Sequence, residues 1–158
     1  MWYLALAVLS ADTAFRSRLE GLSRAQFTDP AVTADEIHYL AAEAMRDIAR
    51  FRFDDAARAC RDGLARIETG APKPYEIAAK ATILCLEQAI VAKDSDRLAA
   101  SISARAERQQ AYYQKGTNRN FPAGLLDIEG LGLLTLAREQ GLRIAVESVC
   151  LPLALVEP

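Results

Sequence analysis

The stretch Thr33-Ala-Asp-Glu-Ile-His-Tyr-Leu-Ala-Ala-Glu-Ala-Met-Arg-Asp-Ile-Ala-Arg-Phe-Arg-Phe-Asp-Asp-Ala-Ala-Arg-Ala-Cys-Arg-Asp-Gly-Leu-Ala-Arg-Ile67 carries two helical patterns with almost nothing between them. In the first, Ile37, Leu40, Ala41, Ala44, Ile48 and Phe51 recur at steps of three and four, the period of a helix with one apolar face. Thr33 and Glu36 stand at the spacing of a capping box, in which the hydroxyl accepts from the third backbone N–H and the carboxylate reaches back. Glu43, Arg46, Asp47 and Arg50 mark the solvated face. The second pattern opens at Asp54-Asp55, where negative charge suits a helix start. Ala57, Cys60, Leu64 and Ile67 face inward. Two helices joined by so short a break form an antiparallel pair, the unit of an αα-hairpin bundle. Leu40, Ala44, Phe53, Ala56 and Leu64 loosely fit one tetratricopeptide unit, but no second unit repeats cleanly after it.

The rest of the chain extends this scheme. Thr69-Gly70-Ala-Pro-Lys-Pro74 stops the second of these helices, and Pro74 suits the first turn of the next. Ile77, Ala81, Leu84 and Gln88, with Ile83, Leu86, Ile90 and Val91 beside them, predict a central helix. Asp94 or Ser95 caps a helix over 96–114, the fifth of the chain. Its thin apolar stripe (Leu98, Ala99, Ile102, Ala106, Tyr113) places it on the outside. Asp127 caps a sixth, nearly all-apolar helix over 128–140. Gly130 and Gly132 weaken its propensity and suit a position that another helix approaches closely. Residues 143–149 alternate in an extended pattern, and the apolar tail 151–156 is expected to pack back on the bundle. Upstream, Leu4, Val8, Ala11, Phe15, Leu19 and Leu22 predict one helix over 2–23. The expected fold is therefore all-α, about six helices in tetratricopeptide-like bundle packing with one short extended C-terminal segment, as a single domain over 1–158.

Composition sets the outer bounds. Of 158 residues, 51% are hydrophobic and 25% charged, which argues against disorder, and the net charge of −2 argues against a strongly basic nucleic-acid binder. Cys60, Cys85 and Cys150 are widely spaced and form no CxxC pair, a pattern expected of structural cysteines in a reducing compartment, here the cytoplasm. The apolar run at the N-terminus is too short to span a bilayer and has no preceding positive charge, so neither a membrane span nor a secretion signal is expected.

Searching for chemistry returns little. His38 has no nucleophile or carboxylate marked beside it, and with the three cysteines it lacks the paired spacing of a zinc site. The adjacent acids Asp35/Glu36 and Asp54/Asp55 read as capping charges. No GxSxG, HExxH, Walker or GxGxxG motif is present. No cofactor, no metal and no enzymatic activity are expected. Charge is nevertheless unevenly spread. Residues 95–121 hold two acids against five bases, a net of +3, while 34–68 carry −2 and 122–158 carry −3. The basic segment also holds Tyr112, Tyr113 and Phe121. Tyr and Arg are enriched at protein interfaces, so the exposed flank of the fifth helix is the expected partner surface: Arg105, Arg108, Gln109, Tyr112, Lys115 and Arg119. The alternative is the acidic side, Glu36, Glu43, Asp47 and Asp55, acting against a basic partner.

A resemblance adds to this reading. Leu136-Ala137-Arg138, Gly141, Leu151-Pro152 and Leu155, within the stretch 126–156, resemble the end of the immunity protein 49 family, in which a buried helix precedes a short extended stretch and a final Leu-Pro-x-x-Leu. The helix 76–92 followed by Lys93-Asp94 is similar to that family's penultimate helices. The chain's length then suggests a trimmed or divergent member. The resemblance implies a bacterial immunity protein that binds and neutralises a co-encoded toxin, with that toxin as its protein partner and neither nucleic acid nor membrane bound. A tetratricopeptide-like adaptor for a protein or peptide is the alternative function.

Overall fold

Asp12, Asp35, Asp94 and Asp127 each precede a helix and each turn a carboxylate back onto it, accepting from the N–H of Phe15 (2.8 Å), Ile37 (2.9 Å), Arg97 (2.9 Å) and Gly130 (3.0 Å). These bonds satisfy donors that the first turn of a helix leaves open. The computed structural model of the chain describes residues 1–10, 12–27, 34–113, 126–145, 148, 150–152 and 156. Its helices are α1 (Trp2–Leu9), α2 (Thr13–Glu20), α3 (Arg24–Phe27), α4 (Glu36–Ala49), α5 (Phe53–Glu68), α6 (Pro74–Val91), α7 (Ser95–Tyr113) and α8 (Ile128–Glu139). The all-α expectation holds, and from α4 onward each predicted helix is found within a residue or two of its expected ends.

Three local expectations give way. The single helix over 2–23 is two pieces, because Asp12 caps a new start and α1 and α2 have different neighbours: α1 packs on α8, whereas α2 reaches α4. The cap of α4 is Asp35, two residues after the anticipated Thr33, which lies outside the described residues; Arg66 donates to both oxygens of that cap at 2.7 Å, so the cap also ties α5 to α4. The extended segment 143–149 contains no strand among the described residues, only an isolated bridge between Ser148 and Leu151. The tail does pack back, with Leu151 and Val156 buried and the N–H of Asp127 donating to the carbonyl of Cys150.

Helix α6 is the hub. It packs on α4, α5, α7 and α8, and it gives Ile83, Leu84, Leu86 and Ile90 to the core alongside Ile37, Met45 and Ile48 of α4, Leu98 and Ile102 of α7, and Leu131, Leu133 and Leu134 of α8. Gly132 lets α1 lie against α8: a Cβ there would stand 2.7 Å from the Cα of Ala5.

Helix ends explain one further misfit. At the end of α4, Phe51 donates to the carbonyl of Ile48 and Arg52 to that of Asp47, the paired bonds of a Schellman turn, which requires a left-handed residue at Phe51 (φ 59°). Lys93 (φ 52°) takes the same role after α6 and Gly141 (φ 79°) after α8. The turn swings Phe51 off the apolar stripe assigned to it and leaves it 62% exposed, edge-on to Phe53.

Candidate functional site

On α7, Arg105, Arg108, Gln109 and Tyr112 are spaced i, i+3, i+4 and i+7, so one face presents all four. That face meets Ala78, Ala79 and Thr82 of α6 and the first residues of α8. The small side chains on α6 leave a cavity of about 240 Å³ between them, lined also by Tyr75, Tyr113 and Leu126. Four of the six residues assigned from sequence to a partner surface therefore line one cavity. Lys115 and Arg119 lie outside the described residues.

Arg105 corrects one part of that assignment. It was expected on an exposed flank and is 6% exposed. Its guanidinium donates to both oxygens of Asp127 and, through Nη1, to Thr82 Oγ1 at 3.1 Å. Asp127 thus caps α8 and clamps α7 at once. Beside it, Lys80 Nζ donates to the two oxygens of Glu129 at 2.9 and 3.0 Å, and Arg105 Nη2 lies 4.0 Å from Glu129. Two buried cations face two buried anions in a neutral set, of which Arg105, Asp127 and Glu129 line the cavity. Removing one member of such a pair would leave an uncompensated buried charge. At the rim, Arg108 is exposed and, among the described residues, has no ion pair. Tyr112 and Tyr75 are 49% and 60% exposed, and the Tyr112 ring stands edge-on to Tyr113 at 5.0 Å. Burial, with Tyr112 and Asp127 nearby, pushes the Tyr113 hydroxyl above its ordinary range.

The acidic alternative looks different. Glu36 and Glu43 face Arg24, and Asp55 pairs with Arg52 and Arg58. Asp47, expected on a solvated face, is buried and accepts from Arg46 Nε and Nη2 at 3.1 Å each. Arginines within reach draw it inward. Each of the four acids is already engaged.

His38 is half-buried, with Nε2 3.8 Å from Glu76 Oε1, beyond hydrogen-bond reach; Glu76 instead accepts from the N–H groups of Lys73 (2.8 Å) and Asp35 (3.3 Å). Burial lowers the His38 pKa below its ordinary value, and Lys80 adds to this. The histidine does not line the cavity. The three cysteines are free thiols, and burial pushes the Cys60 thiol far up. Among the described residues no group of three potential ligands could hold a metal ion. Sequence reasoning missed Lys80, Glu87 and Glu129, and of Asp127 it read the cap but not the burial or the pairing with Arg105. Their spacing follows the apolar track of α6 and the start of α8, so a charged residue recurring on a hydrophobic stripe was the available signal.

The described residues form an all-helical bundle with a charge-lined cavity between α6, α7 and the start of α8. The family model for immunity protein 49 matches residues 1–155, and the chain belongs to that family. The match covers nearly the whole chain, well beyond the C-terminal stretch that carries the resemblance in the sequence. No curated protein and no solved structure matches the chain. Membership points to a role in immunity to a toxin and to a toxin as protein partner, and such proteins are generally not catalysts. No helix among the described residues is long and apolar enough to cross a membrane.

Proposed function

We propose that this protein neutralises one cognate toxin by binding it, without catalysis, through the α7 face that opens onto the cavity. The observation that carries this reading is the convergence of Arg105, Arg108, Gln109 and Tyr112 on one cavity, in a chain of an immunity family. Arg108 and Tyr112 would contact the toxin, and Arg105 would hold the floor in place. Lys115 and Arg119, assigned from the sequence to the same surface, are proposed as contacts alongside Arg108 and Tyr112. The paired state of the acidic helices favours this face over the acidic one, since a carboxylate already held by arginine gains less from a second cation. The free cysteines suit action in the cytoplasm. The adaptor alternative has less support: a cavity of about 240 Å³ accepts one or two side chains and not a run of peptide.

The test is co-expression with the product of the adjacent reading frame. Protection from growth arrest and a co-purifying complex are expected, with affinity reduced about tenfold or more by Arg108→Glu combined with Tyr112→Ala. Absence of protection, or full affinity in the double variant, would sink the reading or its placement on α7 respectively.

A further inference from the structure

We propose that the cavity between α6, α7 and the start of α8 receives a carboxylate side chain of the toxin, carried beside an aromatic or aliphatic residue, with Arg108 as its ion-pair partner and Tyr75 and Tyr112 as its walls. The proposal rests on the reading of the chain as a toxin binder and specifies what that partner must offer.

Size gives the first constraint. Small-molecule and cofactor sites usually span about 300–1,000 Å³. At about 240 Å³ the cavity suits a side chain from a protein surface. Charge gives the second. Of the lining side chains, Arg105 is held by Asp127 and Glu129 is held by Lys80, which does not itself line the cavity; all four are buried and together they are neutral. An incoming cation would find both carboxylates occupied and would meet Arg108 at the entrance. An incoming carboxylate would meet an exposed guanidinium that no acid engages among the described residues. That guanidinium offers the planar fork that binds carboxylates in two-point fashion. The walls give the third constraint. Two exposed tyrosine rings flank the entrance, and such rings add contact area at low entropic cost. An acidic residue next to an apolar one matches the rim and the walls together.

The pre-paired floor has a consequence for specificity. Arg105 is held by three hydrogen bonds to Asp127 and Thr82, so it does not swing out to follow a ligand. Among the described lining residues recognition of charge falls to Arg108, and its removal should abolish the preference for acid without unfolding the chain, since the side chain is exposed.

Three blocked dipeptides test this on the full chain labelled with ¹⁵N: acetyl-Glu-Phe-amide, acetyl-Gln-Phe-amide and acetyl-Lys-Phe-amide. The acidic peptide is expected to shift the amide signals of Tyr75, Thr82, Arg108 and Tyr112 saturably. Its affinity should be about three- to tenfold higher than that of the Gln peptide, with the Lys peptide weakest. Arg108→Ala should bring the three peptides to equal affinity, and Arg108→Lys should restore part of the order. No saturable shift by about 10 mM, equal affinities in the unaltered protein, or a preference for the Lys peptide would overturn the proposal. The titration uses no toxin, so its failure is separable from failure of the immunity reading. A protein that protects cells yet ignores the acidic peptide loses only the cavity's role.

Discussion

Glu87 lies fully buried in α6 with neither carboxylate oxygen hydrogen-bonded among the described residues. Burial raises its pKa well above the ordinary value of 4.5, reinforced by Glu129 and opposed by Lys80 and Arg105. The sign of the resulting pH dependence follows directly. The folded chain holds a proton that the unfolded chain releases above about pH 4.5. The stability this contributes is complete below that pH and is lost as pH rises toward the folded pKa, at up to about 1.4 kcal/mol per pH unit. Glu87→Gln removes the titration while keeping the shape. Urea melts across pH 5 to 8 should therefore show the variant gaining on the unaltered protein as pH rises; parallel curves would show that Glu87 is not the group responsible. His38 acts in the opposite direction, because its lowered pKa favours the folded state as pH rises toward 6.5, so the comparison must be made between variants at each pH. The local mark of Glu87 is its place among the apolar residues of α6; its protonation is set by burial, which the packing of the neighbouring helices creates, and then by Lys80, Glu129 and Arg105.

At the scale of elements, two glycines separate propensity from packing. Replacing glycine by alanine inside a helix gains about 1 kcal/mol of helix propensity. At Gly63 the new Cβ would meet the Cδ1 of Leu84 at 2.8 Å, the far end of a side chain that can shift. At Gly132 it would meet the Cα and Cβ of Ala5 at 2.7 Å, where α1 backbone crosses α8. Overpacking of the second kind costs about 1–3 kcal/mol. Gly132→Ala should therefore lie at least about 1 kcal/mol below Gly63→Ala in stability by denaturant melts. Equal stabilities would mean that α1 can slide off α8 at no cost. The close approach at Gly132 was legible in the sequence, because a glycine inside an apolar helical pattern is costly unless something presses on it. The break between α1 and α2 was less so. The apolar steps run on through residues 8–15, and the break comes from the Asp12 cap together with the need to contact α8 and then α4.

Across the whole molecule, the net charge of −2 conceals a separation: acids of α4 and α5 paired with arginines, and at the α7 rim a cation with no acid engaging it among the described residues. Exposed charges steer association and are screened beyond about 10 Å in ordinary salt. If Arg108 guides an acidic toxin surface, the association rate should fall about three- to tenfold between low and high salt, and Arg108→Glu should give a slower and flatter dependence in stopped-flow measurements. An unchanged slope would move the contact elsewhere. Taken alone, the chain's order of residues determined the helical class, the cap at Asp127, the start at Pro74 and the stop at Thr69-Gly70. These depend on hydrogen bonds and apolar periods within a few residues of one another. The residues that meet at the cavity were half legible for the same reason, since Arg108, Gln109 and Tyr112 share a helical face by spacing alone. Only the tertiary structure decided that Arg105 turns inward and Arg108 does not. Both are arginines on one face of one helix, and the difference is made by Asp127, 22 residues further along the chain, whose carboxylate arrives when α8 docks.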